Sequence, residues 1–170
     1  MDKAHLRAMV RARRAAGHVP DSGYPARVLA AVPRGVVCCY VALPGEPPTE
    51  DLIEALLARG DEVYLPIAGA RRVLHWTPAI SSRPWRAWGV GPGPTPEPVP
   101  LPEPATVIVP ALAVDATGHR LGQGGGYYDR FVPTVPQART VALIWHDEVF
   151  ERVPAQRHDI RVDTWVIADA

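Results

Sequence analysis

Residues 36–67 run VVCCYVALPGEPPTEDLIEALLARGDEVYLPI, and the change of pattern within them decides the fold. The first eight, VVCCYVAL, form an unbroken apolar run between Gly35 and Pro44. Such a run has no solvent face and predicts a strand buried on both sides, as in a parallel sheet. In PTEDLIEALLARG (48–60) the period becomes helical. Leu52, Ile53, Leu56 and Leu57 fall on one stripe, Thr49 stands at the N-cap, acids fill the first turn and Gly60 stops the helix. DEVYLPI (61–67) returns to a strand. Strand, helix, strand is a βαβ unit with a right-handed crossover.

Toward the N-terminus, KAHLRAMVRARRAA (3–16) lacks Gly and Pro and predicts a helix ended by Gly17. Lys3, Arg7 and Arg11 are spaced by four and share one face, either solvated or turned to an anion. A short helix is expected near 25–31. Toward the C-terminus come strands at RRVLHW (71–76), ATVIVP (105–110), RTVALIW (139–145) and DTWVIA (163–168), with a helix from about Gly125 to Phe131. Every second residue from Pro92 to Pro104 is proline, so that segment is expected to be an extended connector over the surface. The strands before it need partners from the chain after it, which makes residues 1–170 a single α/β domain.

Bulk properties exclude several classes of function. At 170 residues and 47% apolar, the chain can bury a substantial core. Eighteen basic and eighteen acidic residues give zero formal charge, so no global field attracts nucleic acid or an anionic membrane. No apolar run approaches the ~18–20 residues that span a bilayer, and a cytoplasmic location is expected. Cys38 and Cys39 are adjacent in a strand, point to opposite faces and are expected as buried reduced thiols. The histidines form no spaced metal cluster, and His146-Asp147-Glu148 is expected to be a polar turn. Trp85 and Trp88 are expected to pack beneath the proline-rich segment.

The densest chemistry lies in GHRLGQGGGYYDRF (118–131). Strand, glycine-rich loop and helix, in that order, make phosphate sites on α/β sheets, because bare backbone lets N–H groups approach an anion. Neither familiar fingerprint is present. There is no GxxxxGK followed by Ser or Thr, and Tyr127 stands where a dinucleotide motif needs glycine. The company of the loop carries the assignment instead. Arg120 can pair with phosphate oxygens, and a carboxylate such as Asp129 can hold a Mg2+ that bridges them. The combination suits a nucleoside triphosphate.

The longer run VPALAVDATGHRLGQGGGYYDRF (109–131) resembles the signature of the 5-formyltetrahydrofolate cyclo-ligase family. KAHLR (3–7), YVALPGEPPTEDLI (40–53) and HDIRVDTWVI (158–167) are similar to further family segments in the same order. Ala111 and Val114 depart from the family's usual glycine and phenylalanine. The resemblance implies a Rossmann-like three-layer sandwich with a mostly parallel central sheet. It implies ATP- and Mg2+-dependent conversion of 5-formyltetrahydrofolate to 5,10-methenyltetrahydrofolate. Carried over by position, Lys3, Arg7, Arg120, Leu121, Gly122, Gln123, Gly124, Gly125, Gly126, Tyr127 and Tyr128 would bind ATP. Val41, Glu46, Gln123, Gly124, Gly125, Gly126 and Tyr127 would face the folate. Asp129 and Asp159 would hold metal, and Arg120, Tyr127 and Asp129 would act in catalysis. Small-molecule substrates and a monomer are expected, with no nucleic-acid or membrane partner. A family relative with another formyl or amide substrate, and a non-catalytic nucleotide- or folate-binding protein, are the competing readings.

Overall fold

A computed structural model describes residues 1–80, 85 and 93–169. The βαβ unit is formed by β1 (Val36–Cys38), α3 (Glu50–Arg59) and β2 (Glu62–Ala68), preceded by α1 (Lys3–Ala16) and α2 (Tyr24–Ala31). β3 (Leu74–Pro78), β4 (Thr106–Pro110), β5 (Ala113–Asp115) and β6 (Arg120–Leu121) follow. Then come α4 (Tyr127–Phe131), β7 (Arg139–Ile144), β8 (Val149–Phe150) and β9 (Thr164–Ile167). Among the described residues β3-β2-β1-β4-β7-β9 form one sheet, parallel throughout except for the antiparallel β2–β3 pair. A second sheet, β6-β5-β8, stands beside it.

The two faces of the main sheet carry separate cores, as alternation along buried strands requires. Val37, Cys39, Leu65, Ile108, Val141 and Leu143 pack against Tyr24 and Val28 of α2 and Leu52, Ile53 and Leu56 of α3. Cys38, Val107, Val109, Ala142 and Ile144 pack on the other side with Trp76 and Tyr128. Leu6 and Val10 of α1 cover the small sheet through Leu112, Ala113 and Leu121. The adjacent cysteines are reduced and buried, one in each face.

Several expectations change in the structure. The apolar run from Val36 pairs as a strand only to Cys38, although Cys39 N still donates to Tyr64 O at 2.9 Å. Beyond it the chain leaves the sheet between β2 and β4. Thr49 takes the N-cap position without capping, because its hydroxyl accepts from Ala42 N at 2.9 Å and so ties the departing segment to the helix start. Leu57 is only half-buried. Trp85 packs with the α2–α3 core and donates to Ile80 O at 2.8 Å; Trp88 falls outside the described residues. The described part of the proline-rich segment, from Gly93, is extended and touches the sheet at Val99, whose N–H donates to Trp76 O at 2.9 Å.

His146–Glu148 is a 3-10 turn, but its glutamate is fully buried. Glu148 receives both arms of Arg14, at 2.6 Å from Nε and 2.9 Å from Nη2, and accepts from Trp145 N at 3.1 Å. Arg14 Nη2 also donates to Ala111 O at 2.7 Å. Removing one partner of such a pair strands a buried charge, whereas replacing both by apolar groups does not. Glu148→Ala is expected to cost about 3–5 kcal/mol in urea unfolding, and Arg14→Met/Glu148→Leu to regain most of it.

The turn between β5 and β6 is organised by Asp115. Its carboxylate accepts from Thr117 N, Thr117 Oγ1, His119 N and Val153 N at 2.6–3.2 Å. Burial pushes this carboxyl up, but the Thr117 hydroxyl and the three amides outweigh burial and hold it at about 2. A depressed folded-state pKa stabilises the protein above the unfolded value, and that contribution is lost as pH falls through the folded one. On the order of 2 kcal/mol of the advantage over Asp115→Asn is expected to vanish between about pH 4 and pH 2, measured by denaturant unfolding across that range.

Candidate active site

Strand order reverses at β1, with β2 on one side and β4 on the other, and ligands of α/β sheets bind beyond the strand carboxyl ends at such a point. A cavity of about 730 Å³ lies there. Tyr40, Val41, Leu43 and Glu46 line it from the segment after β1, Pro110 from the end of β4, and Arg120 to Arg130 from the glycine-rich loop and α4. Lys3 and Arg7 enter from α1, Gln156, His158 and Asp159 from the segment before β9, and Pro66, Ala68, Arg72 and Leu74 from the β2–β3 hairpin. All the site residues expected from the sequence therefore line one cavity.

Arg120 is pinned at the base. Its Nε donates to Pro110 O at 2.7 Å, Nη1 stands 3.7 Å from Asp129 Oδ1, and the guanidinium lies over the Tyr128 ring at 5.7 Å. Burial lowers its pKa while Asp129 raises it; a guanidinium stays charged under both. A Cβ on Gly122 would come within 2.8 Å of Arg120 Nη2, so a side chain there would displace the guanidinium. Gly124 is required for its backbone, at φ +107. Arg7 Nε donates to Gly122 O at 2.9 Å, and Arg11 Nη2 to Gln123 Oε1 at 3.0 Å, so the shared basic face of α1 grips the loop through its carbonyl side. The amides of Gly122 to Gly126 donate no hydrogen bond among the described residues. They are five consecutive donors on a loop that lines the cavity.

The acids are partly engaged. Asp129 Oδ1 accepts from Ile160 N at 2.9 Å. Asp159 accepts from Gln156 N at 2.6 Å and pairs with Lys3 Nζ at 2.5 Å; burial raises its carboxyl, but Lys3 and that amide bring it below the usual range. Asp163 instead binds Thr140 N and Oγ1 at the start of β7. His158 is exposed, with Nε2 3.7 Å from Asp159 Oδ1. Glu46 closes its own turn by accepting from Leu43 N at 2.8 Å. Among the described residues no three His, Cys, Asp or Glu side chains could hold an ion together. Two acids on one cavity wall fit Mg2+, which takes one or two carboxylates and completes its shell with phosphates and water.

A family model for 5-formyltetrahydrofolate cyclo-ligases matches residues 3–168. The chain belongs to that family. The cyclo-ligase of Mycolicibacterium smegmatis is 36% identical over 133 residues, covering 73% of this chain and 69% of that protein. The Escherichia coli K12 cyclo-ligase is 32% identical over 145 residues, covering 81% and 78%. A 5,10-methenyltetrahydrofolate synthetase from Mycoplasma pneumoniae superposes with a TM-score of 0.77 at 16% identity, covering 98% of each chain, and so shares the fold. The corresponding Aquifex aeolicus structure gives 0.71 at 24% identity, covering 100% of this chain and 91% of that one.

Tyr40, Arg72, Pro110 and Gln156 line the cavity without having been expected there. Pro110 acts through its carbonyl, and Arg72 through a hairpin conformation; neither leaves a residue-type pattern. Tyr40 could have been read from its place beside Val41. It is buried, its hydroxyl has no hydrogen-bond partner among the described residues, and burial pushes its pKa well above the ordinary phenol value. Tyr40→Phe is expected to leave thermal stability unchanged or to raise it by about 0.5–1 kcal/mol, because an orphaned buried hydroxyl contributes nothing that Phe lacks.

Proposed function

We propose that this chain is an ATP- and Mg2+-dependent 5-formyltetrahydrofolate cyclo-ligase. One observation carries the nucleotide half: five successive amides without an acceptor among the described residues, on a loop flanked by Arg7 and Arg120. Family membership carries the folate half. We read the 170 residues as a single Rossmann-like, three-layer domain acting as a cytoplasmic monomer.

The triphosphate lies along Arg120 to Tyr128, with the loop amides turned to its oxygens and Lys3 and Arg7 above it. Asp129, with Asp159, would hold Mg2+, which when bound neutralises charge on the phosphates. The folate is placed between Tyr127 and the segment of Val41 and Glu46, so that its formyl oxygen faces the terminal phosphate. An amide oxygen is a poor leaving group. The formyl oxygen takes the terminal phosphoryl group and ADP is left; N10 then attacks the activated formyl carbon, the carbon–oxygen bond breaks, and phosphate departs from the cyclised methenyl product. Phosphoryl transfer needs positioning and charge neutralisation above all. Arg120 provides both, since Pro110 O holds its guanidinium fixed at the cavity base.

Mixing the protein with 5-formyltetrahydrofolate, ATP and Mg2+ is expected to develop the methenyl product's near-ultraviolet absorbance; a flat trace from folded protein rejects the assignment. Asp129→Ala is expected to abolish turnover with little change in circular dichroism. Gly124→Val is expected to abolish ATP binding in calorimetry, because valine strains the φ +107 backbone and fills the space beside Arg7.

A further inference from the structure

The cations around the cavity are not equivalent. Lys3 is paired with Asp159, Arg7 with Gly122 O, and Arg120 with Pro110 O and Asp129. Arg72 and Arg130 also line the cavity and are exposed, and their guanidiniums have no hydrogen-bond or ion-pair partner among the described residues. Arg72 is delivered by an unusual backbone. Arg71 and Arg72 both adopt left-handed conformations, with φ of 56 and 61, and they are the non-glycine positive-φ residues among those described. Side chains other than Gly, Asn and Asp rarely occupy that region, and such outliers cluster at ligand clamps. The conformation brings Arg72 Nη1 to 3.5 Å from where a Cβ on Gly126 would stand.

The hairpin wall of the cavity that ends at Arg72 is apolar: Pro66, Ala68 and Leu74, with Tyr127 also lining the site. An apolar wall finishing in guanidiniums without a partner among the described residues fits a flat ring followed by carboxylates. In the proposed reaction the triphosphate already has the loop amides, Lys3, Arg7 and Arg120. The remaining anionic group is the glutamyl tail that follows the aminobenzoyl ring of the folate.

We propose that Arg72, assisted by Arg130, binds the carboxylates of the folate's glutamyl tail, with the aminobenzoyl ring against the wall of Pro66, Ala68, Leu74 and Tyr127. This assignment rests on the cyclo-ligase reading. Because both guanidiniums are exposed, further glutamates can extend into solvent past them, and Arg72 selects for the presence of a tail rather than against its length.

The test compares 5-formyltetrahydrofolate with 5-formyltetrahydropteroate, which lacks the glutamate, in steady-state assays and in calorimetry on the full chain. Arg72→Ala is expected to raise KM for the glutamyl substrate about tenfold while kcat and KM for ATP stay unchanged, and to leave KM for the pteroate unchanged. Arg71→Gly, which keeps the Arg72 guanidinium, is expected to preserve both KM values. A rise in KM for ATP would mean that Arg72 binds phosphate and would overturn the proposal, as would an equal loss with the pteroate or no loss with either. If the wild type binds the glutamyl compound through Arg72 but forms no methenyl product, the cyclo-ligase reading fails and the tail site stands. If it turns over and Arg72→Ala behaves as wild type, the tail site fails alone.

Discussion

The Arg14–Glu148 pair is the interaction on which the geometry of the cavity depends. Through its two arms α1 is joined to the turn after β7, and through Ala111 O to the chain entering the small sheet. The same turn reaches across to the segment of Glu46, because Trp145 Nε1 donates to Gly45 O at 2.9 Å. One buried charge pair therefore fixes the helix that carries Lys3 and Arg7 relative to the loop that carries Val41 and Glu46. A buried pair gives little net stability over an apolar replacement, and its retention here fits a role in register.

Around that anchor the protein divides its backbone and side-chain groups between holding the fold and leaving valence for a ligand. The carbonyls of Gly122 and Gln123 face the α1 arginines, while the loop amides have no acceptor among the described residues. Arg120 is fixed through Nε by the Pro110 carbonyl, which leaves Nη1 at the cavity 3.7 Å from Asp129. Such preorganisation suits a reaction in which charge must be met by groups already in place.

Much of this was legible in the sequence because it rests on periodicity and glycine. The helices at 3–16 and 50–59 and the buried strands at 62–68, 106–110 and 139–144 announce themselves by pattern. The small sheet did not, since strands of two or three residues such as Arg120–Leu121 and Val149–Phe150 are too short to show alternation. The run from Val36 looked like a longer strand because a chain segment leaving a sheet toward a cavity floor is as apolar as one staying in it. Glu148 read as a turn acid, and nothing local tells that its partner lies 134 residues away in Arg14. Arg72 was hidden for a different reason: its placement comes from backbone angles that residue type argues against.

The contact between Val99 and Trp76 has a consequence for behaviour outside the active site. Among the described residues β3 is one of the two outer strands of the main sheet, and an unprotected outer strand offers its backbone to a neighbouring molecule as a template for fibrous aggregation. A strap in which alternate residues are prolines can lend a single N–H at Val99 to that strand while lacking the regular donors needed to recruit another chain. The segment thus ends the sheet on that side while Leu101 packs against the core beneath it.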